Sequence, residues 1–185
     1  MKTVVLKHEN THGGISNTMP RSNNNSKLCL FLKNARFLTE KFGIIPLLYG
    51  SLGLECLTGE NLDADDIDIL IPHVFINDKW NDFKASLELH GFTLTDEHEH
   101  TFVFGGVAFS YADIEELETF ADIRIEDIAT REIEDVRFML LSLEQYLQVY
   151  RKSIKDGYRI SVRHKKDNDK ILFIERHLQL MKGRS

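Results

Sequence analysis

Asp66 and Asp68 stand two residues apart at the head of an apolar run, Asp66-Ile-Asp-Ile-Leu-Ile71. In an extended chain both carboxylates leave the same face, while Ile67 and Ile69 leave the other toward a core. Two carboxylates held that close repel each other, so the pair calls for a cation. Hard oxygen ligands of this kind suit Mg²⁺, commonly held by one or two carboxylates together with substrate phosphates. Upstream, Pro46-Leu-Leu-Tyr49 reads as the end of a short strand that turns at Gly50-Ser51 into one or two helical turns. A turn feeding a helix offers unbonded N–H groups and, here, a hydroxyl, which suits a phosphate.

These residues need elements to hold them. Ser26 is expected to cap a helix with Leu28, Phe31, Leu32, Ala35 and Leu38 on one stripe, stopped at Gly43. A strand Ile44 to Tyr49 follows, then the Gly-Ser element, an acidic loop and the strand Asp66 to Ile71. Asn77 is expected to cap a helix with Trp80, Phe83 and Leu87 inward, ending at Gly91. Phe92 to Thr95 reads as a strand, and Thr101 to Phe104 with Val107 to Ala112 as a hairpin around Gly105-Gly106. Asp113-x-x-Glu116 has the form of a capping box opening a short helix. Val136 to Leu140 reads as a last strand. From Ser142, whose Ser142-x-x-Gln145 is a second capping box, the pattern turns helical. Leu143, Tyr146, Leu147 and Tyr150 form one stripe, and Ile171, Ile174, Leu178 and Met181 another.

Gly-Ser after a strand, followed by Asp-x-Asp on the next strand, resembles the signature of the nucleotidyltransferase superfamily, which includes DNA polymerase β and the small antibiotic nucleotidyltransferases. The resemblance implies that Gly50 and Ser51 hold a nucleoside triphosphate and that Asp66 and Asp68 bind the catalytic Mg²⁺ or Mn²⁺. It implies an α/β fold (α+β in its strand order): a mixed β-sheet flanked by helices, with a short helical C-terminal part. The expected division is a polar tail over residues 1–25, a nucleotidyltransferase-like domain over 26–140 and a helical segment over 141–185.

A third carboxylate on a neighbouring strand usually completes such a site. Asp113, directly after Val107 to Ala112, is one candidate, although it also stands where a helix cap is wanted. Strand parity points elsewhere: Ala108, Ser110 and Ala112 share a small-residue face, so Ser110 stands where an acid would be expected if the site lies over that face. Glu97 and Glu99 are further candidates. Arg163 to Lys170 resembles the Lys/Arg-Asp segment of several small nucleotidyltransferases. Lys166 or Lys170 could therefore reach a triphosphate, as could Arg151 or Lys152; the alternative is a charged first turn of a helix, with Asp167 favouring its dipole. His98-Glu99-His100 would put two imidazoles on one strand face, but zinc needs a further ligand that no nearby Cys or His supplies. Tyr49 and Trp80 read as core.

A formal charge of −6 opposes a nucleic-acid surface, which demands a basic footprint. No apolar run approaches the length of a bilayer span, and Val4-Val5-Leu6 is too brief for a signal peptide. Cys29 and Cys56 fall in apolar helical patterns and are expected as buried thiols, so a cytoplasmic location is expected. At 185 residues little is left for the extra domains of a template-directed polymerase. The implied activity is transfer of a nucleotide monophosphate from a triphosphate such as ATP to a hydroxyl of a small molecule. A protein hydroxyl, as in toxin–antitoxin nucleotidyltransferases, is one alternative; a catalytically degenerate fold that binds a nucleotide or a partner is another.

Overall fold

Alternation along the strands decides which side of the sheet each residue faces, and it builds two separate cores here. A computed structural model describes residues 24–154 and 164–183. The expected tail lies outside them except for its last two residues, which are already helical. Helix α1 (Asn24–Phe42) thus starts ahead of Ser26, which is a helix residue rather than its cap. Phe31, Leu32, Ala35 and Leu38 are buried as expected. The helix stops where Gly43 adopts φ 69° and its N–H donates to the Thr39 carbonyl at 2.9 Å.

Among the described residues seven strands follow: β1 (Leu47–Leu48), β2 (Ile67–Ile71), β3 (Thr93–Asp96), β4 (Thr101–Phe104), β5 (Val107–Asp113), β6 (Ala129–Ile133) and β7 (Val136–Leu140). They form one mixed sheet in the order β3-β4-β5-β2-β1-β7-β6. The pairs β2/β5 and β1/β7 are parallel, the rest antiparallel. The strand expected over residues 44–49 contracts to two residues. Its first N–H, on Ile44, donates back to Leu38 of α1, and Pro46 has no N–H to give.

One face of the sheet carries Leu48, Ile67, Ile69, Ile71, Phe102, Phe109, Tyr111 and Phe138, covered by α1 and by α4 (Trp80–Leu89) through Phe83 and Leu87. The other carries Leu47 and Leu70, covered by α5 (Glu116–Ala121), α6 (Leu143–Ser153) and α7 (His164–Lys182). Helix α2 (Gly50–Thr58) serves both, with Leu52 in the first core and Leu54 in the second. The second face is covered only in part: on β4 and β5, Thr101, Val103, Ala108 and Ser110 are half-buried and Ala112 is exposed. This open strip of small and hydroxyl side chains adjoins β2.

Several local expectations need correction. Asn77 ends the short helix α3 (His73–Ile76) instead of opening α4. Asp113 is the last residue of β5; α5 begins at Glu116 with no side-chain cap, so no capping box forms there. His98 and Glu99 lie in a turn rather than a strand, and His100 turns with φ 49°. Strand β6 lies at the sheet edge, almost wholly exposed, and its turn to β7 uses Glu134 and Asp135 at positive φ, without the Asn or Gly that would signal a hairpin. Cys29 and Met181 are exposed, while Cys56 is half-buried. The capping box of Ser142 and Gln145 forms as expected. Among the described residues no helix is long and apolar enough to cross a membrane.

Candidate nucleotide site

Gly50 is where the turn and the acidic strand meet. It adopts φ 63°, and a Cβ built on it would fall 2.0 Å from Oδ2 of Asp68. A side chain there would have to displace the Asp68 carboxylate, so Gly50 lets the start of α2 lie directly against it. The backbone joins them as well: the N–H of Tyr49 donates to the Asp68 carbonyl at 2.9 Å. Tyr49 is the N-cap of α2 and gives no side-chain cap bond, which leaves that helix end to other partners. Ser51 is half-buried in its first turn. Gly53, one helical turn on, is equally constrained. A Cβ there would sit 2.1 Å from the Tyr146 hydroxyl and 2.6 Å from the Leu48 carbonyl oxygen.

Asp66 and Asp68 are both half-buried, Asp66 immediately before β2 and Asp68 within it. Across the sheet, Asp68 is in register with Ser110 of β5, and Ser110 with Thr101 of β4. The two hydroxyls are 3.1 Å apart. The β5 position beside Asp68 is therefore held by a serine bonded to a threonine.

Asp113 is elsewhere. It pairs with Ile71, on the opposite parity to Ser110, and so belongs to the first-core face at the far end of β2. There it contacts His73 Nδ1 and accepts the Glu115 N–H at 2.8 Å, while Glu115 accepts the His73 N–H at 2.7 Å. Burial alone would raise the Asp113 carboxyl, but its hydrogen bonds with Glu115 and His73 outweigh this and hold it below the usual range. Burial, followed by the bond to Asp113, raises the Glu115 carboxyl. The hydrogen bond to Asp113 raises the His73 imidazole. Asp113 is thus not brought together with Asp66 and Asp68. Neither are Glu97, paired with Lys84 at 2.7 Å, nor Glu99 in its exposed turn.

Helix α6 packs beside the start of α2 through Tyr49 and Tyr146. Tyr49, Tyr146 and Tyr150 form a ladder of rings, each 6.3 Å from the next. Burial raises the phenols of Tyr146 and Tyr150, and the charge of Asp68 adds to both shifts. Lys170 Nζ lies 5.1 Å from the centre of the Tyr150 ring. The buried carboxylate of Asp167 accepts the Ser153 hydroxyl at 2.8 Å, locking α7 onto α6. Lys170 therefore stands at the end of the tyrosine ladder that starts at Tyr49, next to Gly50. Lys166 is turned toward Asp65 at 3.8 Å, both side chains more than three-quarters exposed, a pair worth little. Arg151 is engaged by Glu175 at 2.7 Å, and Arg163 lies outside the described residues. Trp80 packs on His100 and Phe102. The tyrosine ladder and Asp167 were not singled out by the sequence as site features; the Tyr146–Tyr150 spacing was read only as a core stripe.

Two half-buried carboxylates, with Asp68 lying where a Cβ on Gly50 would intrude, are a hard-oxygen donor set that fits a divalent cation. Among the described residues no group of three or more His, Cys, Asp or Glu side chains is arranged to hold a metal.

No family model matches the chain. Solved structures share its fold. The solution structure of the antibiotic-resistance factor ANT(2'')-Ia aligns with a TM-score of 0.53 at 11% identity, over 87% of this chain and 95% of that one. The same factor in complex with adenylyl-2''-tobramycin aligns with a TM-score of 0.52 at 13% identity, over 85% and 91%. An antigenic nucleotidyltransferase-like protein from Paracoccidioides brasiliensis gives 0.52 at 16% identity, over 79% and 73%. At such identities the likeness shows a nucleotidyltransferase-like fold. A closer relative in sequence is the uncharacterized protein YnaI of Bacillus subtilis (strain 168), 40% identical over 141 residues, which are 76% of this chain and 90% of that protein. The chain belongs to the family of YnaI, built on a nucleotidyltransferase-like fold.

Proposed function

We propose that the chain transfers a nucleotide monophosphate from a nucleoside triphosphate to a hydroxyl of a small molecule. The observation that carries this reading is the contact of Gly50 with Asp68, which sets the start of α2 against one carboxylate of the Asp66-x-Asp68 pair. Asp66 and Asp68 would hold Mg²⁺ or Mn²⁺, which supplies charge neutralisation for the phosphates and the attacking oxygen. The N–H groups of the first residues of α2 and the Ser51 hydroxyl bind phosphate oxygens. Lys170 approaches along the tyrosine ladder and offsets negative charge there. The open strip over Ala108, Ser110 and Thr101 is where the acceptor lies. Its hydroxyl oxygen bonds to the α-phosphorus as the bridging oxygen leaves with pyrophosphate. The hydroxyl proton passes to solvent, since β5 offers Ser110 and no acid beside Asp68. A small acceptor agrees with the tobramycin adduct of the structural neighbour and with the chain's net charge of −6, which disfavours nucleic acid.

A second reading is favoured by one observation, Ser110 in register with Asp68. On that reading the fold binds a nucleotide, or a protein partner through it, without transferring it. An assay of pyrophosphate release from Mg²⁺ and α-labelled triphosphates, with pooled aminoglycosides, sugars and polyols as acceptors, tests the proposal. Label moving to an acceptor, and lost in Asp68→Asn, supports transfer. Nucleotide binding with neither pyrophosphate nor labelled product supports the binding reading.

A further inference from the structure

We propose that Glu55 is a positioning residue whose buried side chain clamps the loop ahead of Asp66 and so sets the carboxylate pair against the phosphate turn. Glu55 lies mid-way along α2 between core leucines and is only 4% exposed. An acid is costly at such a place unless its oxygens are bonded. Its Oε1 accepts two backbone N–H groups from the loop, Leu62 at 2.8 Å and Ala64 at 3.0 Å. Its main chain holds the same loop, since the Gly59 N–H donates to the Glu55 carbonyl at 2.8 Å. The second oxygen, Oε2, is buried with no hydrogen-bond partner. A side chain kept at that cost is held by what the first oxygen does.

Besides its short-range bonds the loop is tied to α7 by side chains, Glu60 meeting His177 Nε2 at 3.0 Å and exposed Asp65 facing Lys166 at 3.8 Å. The backbone just ahead of Asp66, however, is held by Glu55. Asn61 and Asp63 bond to each other at 3.0 Å through side chains and the Asp63 N–H, and Glu60 N–H donates to the Thr58 hydroxyl at 3.3 Å. Ala64, two residues before Asp66, is fixed on both sides: its N–H by Glu55, its carbonyl by Lys27 of α1. One helix therefore meets the site twice. Its first residue lies against Asp68, and Glu55 holds the segment that delivers Asp66. The distance from phosphate turn to carboxylates is set within α2.

The inference rests on reading Asp66 and Asp68 as the metal pair, and the test keeps the two apart. Mn²⁺ affinity in the presence of ATP, and amide exchange at Leu62 and Ala64, are measured for native protein, Glu55→Gln and Glu55→Asp. Gln keeps an oxygen in reach of both N–H groups, whereas Asp keeps the charge but is one methylene short. Native and Gln proteins are expected to protect both amides and to agree in affinity within about threefold, while Asp exposes both amides and binds Mn²⁺ at least about tenfold more weakly. If Glu55→Asp does not fold, Glu55→Met, which fills the space without an acceptor, takes its place. An Asp or Met variant that binds Mn²⁺ like the native protein overturns the inference, as do unprotected Leu62 and Ala64 amides in the native protein. Native protein that protects both amides yet binds no Mn²⁺ overturns the metal reading beneath it, a pattern distinct from failure of the clamp.

Discussion

Two acidic groups sit on the β2/β5 pair, and one residue of parity separates their chemistry. Asp68 faces the second core side, against Gly50, with Ser110 beside it and Thr101 beyond Ser110. Asp113 faces the first core side at the strand end, tied to His73 and Glu115. The second group satisfies itself: two carboxyls and an imidazole share hydrogen bonds that move all three affinities for protons. At the first, a glycine is required so that a helix start can stand against a carboxylate. Proximity in sequence to a strand end does not make an acid part of a site; the face it leaves from does.

The comparison can be broken most forcefully at Gly53. In an open helix Gly→Ala would gain about 1 kcal/mol. Here the new methyl would meet the Leu48 backbone and the Tyr146 hydroxyl, so Gly53→Ala should instead cost about 3 kcal/mol in urea unfolding. A neutral or stabilising result would mean that α2 is not pressed onto β1 and α6. Gly50→Ala is expected to cost less, about 1–2 kcal/mol of left-handed strain, because the short Asp68 side chain can swing aside. Its larger consequence is loss of Mn²⁺ binding; a variant that strains the fold yet binds the metal normally would separate Gly50 from the site.

Ser110→Asp sharpens the contrast by placing an acid on the parity of Asp68. Losing the bond to Thr101 should cost about 1 kcal/mol, and Mn²⁺ should bind more tightly than in the native protein. Unchanged or weaker binding would show that β5 does not adjoin the metal position.

The His73 group answers to pH rather than to metal. The raised imidazole contributes stability fully below its unfolded value of about 6.5 and loses it as pH rises through the higher folded value. The depressed Asp113 contributes above about 4 and loses its share as pH falls through its lowered value. Melting curves of native and His73→Gln protein should therefore diverge below neutrality and converge on the alkaline side. Curves that stay parallel from pH 5 to 9 would remove the charge pair from the account.

Much of this was legible in the chain. Gly50-Ser51 and Asp66-Ile-Asp68 announced a turn and a strand, and the Ala108, Ser110, Ala112 alternation correctly marked the small-residue face. Val136 to Leu140 and the Ser142 cap were readable from apolar alternation and a capping box. Strand β6 was not, because an exposed edge strand has no apolar face to betray it. Glu55 was hidden for a different reason: its partners are backbone N–H groups of an irregular loop, which no residue pattern encodes. Asp113 looked like both a cap and a ligand, and only the register of β2 with β5 decides which face it leaves from.

The central claim is that the nucleotide and its metal bind at Asp66 and Asp68 and not at Asp113. Thermal unfolding with a panel of nucleoside triphosphates, with and without Mg²⁺ or Mn²⁺, tests it on native protein, Asp68→Asn and Asp113→Asn. The account predicts a metal-dependent stabilisation of the native protein that Asp113→Asn retains in full and Asp68→Asn loses. Stabilisation retained by Asp68→Asn, or lost only in Asp113→Asn, would contradict it.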